Sequence, residues 1–178
     1  MKNSYCGVGV AYNAKVSGIR TLSGTLTDAD QAAAANYAFN DTQIYSCSWG
    51  PRDDGQTMET PPQIVMDAFE NGAKNGRHGL GSIFVFAAGN GGTSEDNCNF
   101  DGYTNSIYTI TVAGIQRDGS HPAYSEKCSA VLISMWSGEH YAGIYTADWK
   151  NSCTMQHSGT SAAAPLAAGV FALVNQLR

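Results

Sequence analysis

The stretch Ile83-Phe84-Val85-Phe86-Ala87-Ala88, running into Gly89-Asn90-Gly91-Gly92, decides the fold. A continuous apolar run closed by a glycine turn is the pattern of a strand buried on both faces, and such strands belong to parallel sheets covered by helices. Upstream, Pro61–Lys74 reads as a helix. Thr60 is placed to cap it, Pro61 fits its first turn, and Val65, Ala68, Phe69 and Gly72 fall on one face. Before it, Ile44–Trp49 is a β-branched and aromatic run that stops at Gly50-Pro51, a strand. Asp28–Phe39 reads as an Ala-rich helix capped by Thr27 or Asp28, and Val16–Leu22 as a strand. Downstream, Ile107–Ile115 is a further strand. Val131–Trp136 and Ile144–Asp148 read as shorter antiparallel pieces. The final helix runs from about Thr160 to Leu177, with Leu166, Val170, Leu173, Val174 and Leu177 as its apolar stripe. This alternation predicts an α/β fold of three layers, a mainly parallel sheet with helices on both faces. Ligands of such sheets bind at the carboxyl ends of the strands. Trp49-Gly50-Pro51, Gly89-Asn90-Gly91-Gly92 and Ser158-Gly159-Thr160-Ser161 are the glycine turns at such ends.

Composition narrows the function. The chain has 178 residues, suited to one domain, and is 43% hydrophobic and only 14% charged, which argues against disorder. A net charge of −5 argues against a nucleic-acid partner and is compatible with a cationic one. No apolar run reaches the ~18 residues a membrane helix needs, and no signal peptide is visible at Met1. The five cysteines, Cys6, Cys47, Cys98, Cys128 and Cys153, suit either two disulfides and one thiol in an exported protein or five reduced thiols in the cytosol.

Two turns carry candidate chemistry. Ser161 lies in Gly159-Thr160-Ser161-Ala162-Ala163-Ala164-Pro165, where a glycine turn enters a helix. A backbone N–H there lacks an internal acceptor, the helix dipole favours negative charge, and the small residues that follow let substrate backbone approach. A serine in that position also suits a simple helix cap. Asn90, on the turn after the buried strand, could donate its side-chain amide to a developing oxyanion, or could be an ordinary turn residue.

Together these segments resemble the oxyanion and nucleophile motifs of subtilisin-like serine proteases. Ser46-Cys47-Ser48-Trp49-Gly50-Pro51-Arg52-Asp53-Asp54-Gly55, Asn99-Phe100-Asp101-Gly102-Tyr103-Thr104-Asn105-Ser106-Ile107-Tyr108 and Tyr124-Ser125-Glu126-Lys127-Cys128 narrow the resemblance to the kexin and furin group, over essentially the whole chain. The resemblance implies that residues 1–178 are the C-terminal part of a subtilisin-like catalytic domain, working on polypeptide substrates after paired basic residues such as Lys-Arg or Arg-Arg. It implies Ser161 as nucleophile, and Asn90 with the Ser161 amide as oxyanion hole. Ser48, Trp49, Gly50 and Pro51 become the substrate wall. Asp53 and Asp101 line the pocket for the basic residue before the cut bond, since an entering arginine needs anionic, bidentate partners. Glu59 and Tyr103 match a more distant basic subsite, where Gln31 departs from the usual Glu. Asp53, Asp96 and Glu126 match a calcium site behind the pocket, a set of hard oxygen ligands. Asn3, with carbonyls near Tyr5 and Gly7, matches part of a second calcium loop, expected not to form. The implied disulfides are Cys6–Cys153 and Cys98–Cys128, with Cys47 free; sequence alone does not choose among the pairings.

In this family the triad order is Asp, His, Ser, and the matching Asp and His lie upstream of the segment like Ser4–Val10. The chain is therefore expected to lack its general base and the N-terminal part of the domain, and to be inactive or nearly so alone. His157 is near Ser161 in sequence, but the Gly159 turn separates them, and His78, His121 and His140 sit in loops without a matching motif. The rival expectation is an inactive truncated paralogue that binds basic peptides and calcium. A third is an unrelated α/β binding domain. Unpaired apolar strand edges would make the isolated chain marginally stable or aggregation-prone. The resemblance and the cysteines imply the secretory pathway or the extracellular space. Asn40-Asp41-Thr42 is an N-glycosylation sequon.

Overall fold

The computed structural model describes residues 5–139 and 142–177. Asn3 and His140 lie outside the described residues. The elements are α1 (Asp28–Ala35), β1 (Ile44–Cys47), α2 (Gln63–Gly79), β2 (Ile83–Ala87), β3 (Thr109–Ile115), β4 (Val131–Trp136), β5 (Ile144–Asp148), β6 (Ser152–His157) and α3 (Thr160–Gln176). β1, β2, β3 and β4 form a four-stranded sheet in that spatial order, and every neighbouring pair is parallel.

β2 explains the layering. Phe84 and Phe86 point to one face and pack with Tyr45, Val65, Phe69 and Tyr103 beneath α1 and α2. Val85 and Ala87 point to the other and pack on Ala163, Ala164 and Ala167 of α3. Alternate residues of a strand face opposite ways, so a run buried on both faces needs apolar cover on both. α2 provides the crossover that lets β1 and β2 run parallel.

Thr27 caps α1 with a reciprocal capping box, its hydroxyl accepting from Asp30 N and Asp30 answering to the Thr27 amide. Elsewhere the structure corrects the sequence expectations. Val16–Leu22 forms no strand, and Val16 is 91% exposed. Pro62, with no side-chain cap, precedes α2, so Thr60 does not cap it and Pro61 lies outside it. The backbone leaves helical geometry at Gly76–His78, so the regular part of α2 ends close to the expected Lys74. β4 is not an antiparallel piece but the parallel edge of the main sheet. β5 pairs antiparallel with β6, a strand of polar, exposed residues that carries no apolar alternation. α3 buries alanines rather than its larger residues, because small side chains let the helix sit close on the sheet. Leu173, Val174 and Leu177 face outward.

Candidate active site

The carboxyl ends of β1 and β2 and the N-terminus of α3 meet at one place. Gly159 is the residue before α3, with φ +83° and no side-chain cap, so Ser161 is the second residue of the helix and not its cap. The fully buried Thr160 ties this turn to the one after β2. Its N–H donates to Asn90 Oδ1 at 2.8 Å and its hydroxyl lies 3.1 Å from the same oxygen, while Gly89 N donates to Thr160 Oγ1 at 3.2 Å. With Oδ1 used as the acceptor, the Asn90 Nδ2 donors are left for another partner. Any side chain at residue 159 would start 3.1 Å from Asn90 Oδ1 in a left-handed backbone, so both the turn and the asparagine require glycine there. Ser161 N lies in the first helical turn, where no internal acceptor exists. Two N–H donors beside one hydroxyl are what stabilises an oxyanion during acyl transfer.

The wall segment is fixed to the same turn, with Ser48 Oγ donating to the Ser161 carbonyl at 3.1 Å. Trp49 packs edge-on against Phe86 and Tyr103, at 5.4 and 5.1 Å between ring centroids. Gly50 lies against Asp101, whose Oδ2 would be 3.1 Å from a Cβ at residue 50. Tyr103 belongs to the core cluster beneath α1 and α2. It is buried, and its hydroxyl donates to Gln31 Oε1 at 2.8 Å. Glu59 is exposed and bridges to Asp101 through the backbone.

Asp53, Asp96, Asp101 and Glu126 line one small cavity behind the wall. Asp53 Oδ2 accepts from Asn90 N at 2.7 Å, Glu126 Oε1 from Gly91 N at 3.0 Å, and Asp96 Oδ2 from Gly55 N at 3.0 Å. Burial, reinforced by Asp53, Asp96 and Asp101, pushes the Glu126 carboxyl up to about 7 against the Gly91 hydrogen bond. Burial first, then Asp53 and Glu59, raises Asp101 to about 6, opposed by the Tyr103 and Thr104 amides. The expected calcium ligands thus share a cavity but not a coordination shell. Among the described residues no three His, Cys, Asp or Glu side chains are grouped to hold a metal. Each of the three carboxylates accepts from a backbone amide, Asp96 from two, those of Gly55 and Asn97.

Cys98–Cys128 joins the loop of Asp96 and Asp101 to that of Glu126, and Cys6–Cys153 ties the N-terminal strap to β6. Cys47 is free and half-buried, and desolvation pushes its thiol up to about 12, which disfavours the thiolate. His157 is exposed on β6, and among the described residues Ser161 Oγ has no histidine partner.

The model of the subtilase family matches residues 1–178. The chain belongs to the subtilase family. Among curated relatives, this subtilase is 54% identical over 173 residues to the Protease KEX1 of Kluyveromyces lactis, covering 97% of this chain and 23% of that protein. It is 52% identical to the dibasic-processing endoprotease of Schizosaccharomyces pombe, covering 99% and 25%, and 50% identical to the human proprotein convertase subtilisin/kexin type 7, covering 99% and 23%. The chain thus spans about a quarter of the length of these relatives. The serine protease of Aeromonas sobria, in complex with its chaperone, superposes with a TM-score of 0.82 at 18% identity, over 95% of this chain and 37% of that one. A cold-adapted subtilisin-like serine proteinase does so at 0.72 and 24%, over 96% and 59%. At such identities the likeness concerns the fold.

Sequence motifs pointed to Asn90 and Ser161 but not to the residues that orient them. Thr160 is adjacent to the nucleophile candidate and still carried no signal of its link to Asn90, which is 70 residues away in the chain. Nor did spacing reveal that Asp53 and Glu126 hold the amides of Asn90 and Gly91.

Proposed function

We propose that this chain is the C-terminal part, residues 1–178, of the catalytic domain of a serine endopeptidase that cuts polypeptides after paired basic residues. The observation that supports it best is the Thr160–Asn90 contact, which ties Asn90 to the residue before Ser161 and uses Oδ1 as the acceptor, leaving the Nδ2 donors for another partner. In this reading Ser161 Oγ attacks the scissile carbonyl. Its proton passes to a base outside the described residues. The oxyanion accepts from Asn90 Nδ2 and Ser161 N, the amide C–N bond breaks, and the amine leaves with the proton. Water then hydrolyses the acyl-serine. Turnover of a Lys-Arg peptide by the full-length protein, with and without Ser161, tests this. The acidic cavity of Asp53, Asp96, Asp101 and Glu126 would also serve one second reading, a non-enzymatic module for basic peptides and calcium. That reading requires saturable peptide binding that is indifferent to Ser161→Ala, with no turnover.

Asp101 and Asp53 would receive the basic side chain. Asp101→Asn should lower kcat/KM on a substrate with Arg before the cut bond by about 10–100-fold, the loss of one charge-assisted contact. Cleavage of a neutral-residue substrate should change little. An equal loss on both substrates would remove Asp101 from the pocket.

Calcium would be held by Asp53, Asp96 and Glu126. Their oxygens are hard and line one cavity but would have to draw together around the ion, and a cation there would offset the charges of Asp53, Asp96 and Asp101 that add to burial in raising Glu126. Chelation should lower the Tm of the full-length protein, with about 2.7 kcal/mol at stake at a hundredfold excess of ligand over Kd. Calcium should restore it and magnesium should not. An unchanged Tm would remove calcium from this reading.

Routing through the secretory pathway is supported by the disulfides. Asn40 is exposed in the turn between α1 and β1, at the end of the sheet opposite the cleft. Protein made in a eukaryotic secretory host should carry a glycan there. A peptide N-glycosidase, which hydrolyses the bond between the Asn side-chain carbonyl and the glycan nitrogen, should then convert Asn40 to Asp in the corresponding peptide, and an unmodified Asn40 would contradict it.

A further inference from the structure

Ser137 and Tyr124 form a hydrogen-bonded relay that ends on the backbone of the Ser161 turn. Ser137 follows β4, is 3% exposed, and is fixed by its N–H to the Ile115 carbonyl at 2.8 Å. Its Oγ donates to the Gly159 carbonyl at 2.6 Å. The Tyr124 hydroxyl touches Ser137 Oγ and donates to the Gly138 carbonyl at 2.8 Å. Each hydroxyl has one proton. Ser137 gives its proton to Gly159 O and Tyr124 gives its own to Gly138 O, so the two hydroxyl oxygens meet with both protons directed at the backbone. The contact packs Tyr124 against Ser137, whose hydroxyl holds Gly159 O.

The Gly159 carbonyl and the Thr160 N–H belong to one planar peptide unit. Ser137 holds its oxygen, and Asn90 Oδ1 accepts from its N–H at 2.8 Å. Rotation of that plane would release both bonds at once. We propose that Ser137, supported by Tyr124, is a positioning residue for the oxyanion donor: it locks the Gly159–Thr160 peptide, and through it the Asn90 amide. The inference rests on the endopeptidase reading for its kinetic consequence, though not for its geometry.

The test uses the full-length protein and a Lys-Arg peptide substrate. Ser137→Ala should lower kcat about tenfold, the scale of one buried acceptor losing its donor, with KM nearly unchanged. Tyr124→Phe removes one oxygen, keeps the packing and should give a smaller loss in kcat alone; it carries the test if Ser137→Ala does not fold. In the Asn90→Ala background, either substitution should cost little more, because both act through that amide. An unchanged kcat overturns the relay. So does a loss that multiplies with that of Asn90→Ala. If the wild type shows no turnover, the peptidase reading fails, and amide hydrogen exchange still decides the relay. Thr160 N–H should be protected in the wild type and exchange faster in Ser137→Ala, and equal protection overturns it.

Discussion

Full-length protein carrying Ser161→Ala should lose about 10⁶-fold in kcat on a Lys-Arg peptide, with KM little changed. The magnitude is that of subtilisin itself, the reference case for such a loss. The expectation for this chain comes from where Ser161 sits. Gly159, not Ser161, precedes α3, so the hydroxyl is not consumed as a cap. The segment after β1 is tied to the Ser161 carbonyl through the Ser48 hydroxyl, next to the nucleophile candidate. Removing Oγ leaves that segment, the Asn90 amide and the Ser161 N–H in place. Peptide binding should therefore persist, together with a small residual rate from the oxyanion donors. Active-site titration alongside steady-state turnover checks this. If Ser161→Ala retains turnover, the hydrolysis belongs to another group and the endopeptidase reading of this site is wrong.

The fold was legible where burial wrote itself into consecutive residues. Ile83–Ala88 needs cover on both faces, and Phe84 and Val85 find it beneath α2 and α3 respectively. β4 misled because it is an edge strand. Ile133 and Met135 pack toward α3 while Leu132 and Trp136 are exposed, and that alternation reads as a half-solvated antiparallel piece although the pairing with β3 is parallel. β6 was missed because it has almost no buried side of its own. The α3 stripe was misread because hydrophobicity ranks Leu and Val above Ala, whereas a helix lying close on a sheet selects for small size. At the site, the chemistry was legible in two glycine-flanked motifs. The scaffold of that chemistry was not, since the contacts that orient Asn90 join residues 37 and 70 positions apart, and neither composition nor spacing records a contact of that range.

Asn90 should show two separable losses. Asn90→Ala is expected to reduce kcat by ~10²–10³, the scale set by the corresponding asparagine of subtilisin, with KM nearly unchanged. The structure adds a second effect. Asn90 Oδ1 is the acceptor for the N–H of the fully buried Thr160, so alanine leaves a buried donor unpaired and should lower stability by about 1–3 kcal/mol as well. Asn90→Asp separates the two. It keeps an oxygen facing Thr160 and should preserve most of the stability. It replaces the donor Nδ2 with a second acceptor, which repels the developing oxyanion, so its kcat should fall at least as far as that of the alanine variant. Thermal melts and peptide turnover on the two proteins give both readings. A matched loss of stability in both variants would mean that Thr160 does not depend on Oδ1. Turnover retained in either variant would remove Asn90 from the oxyanion role and leave that task to the Ser161 amide alone.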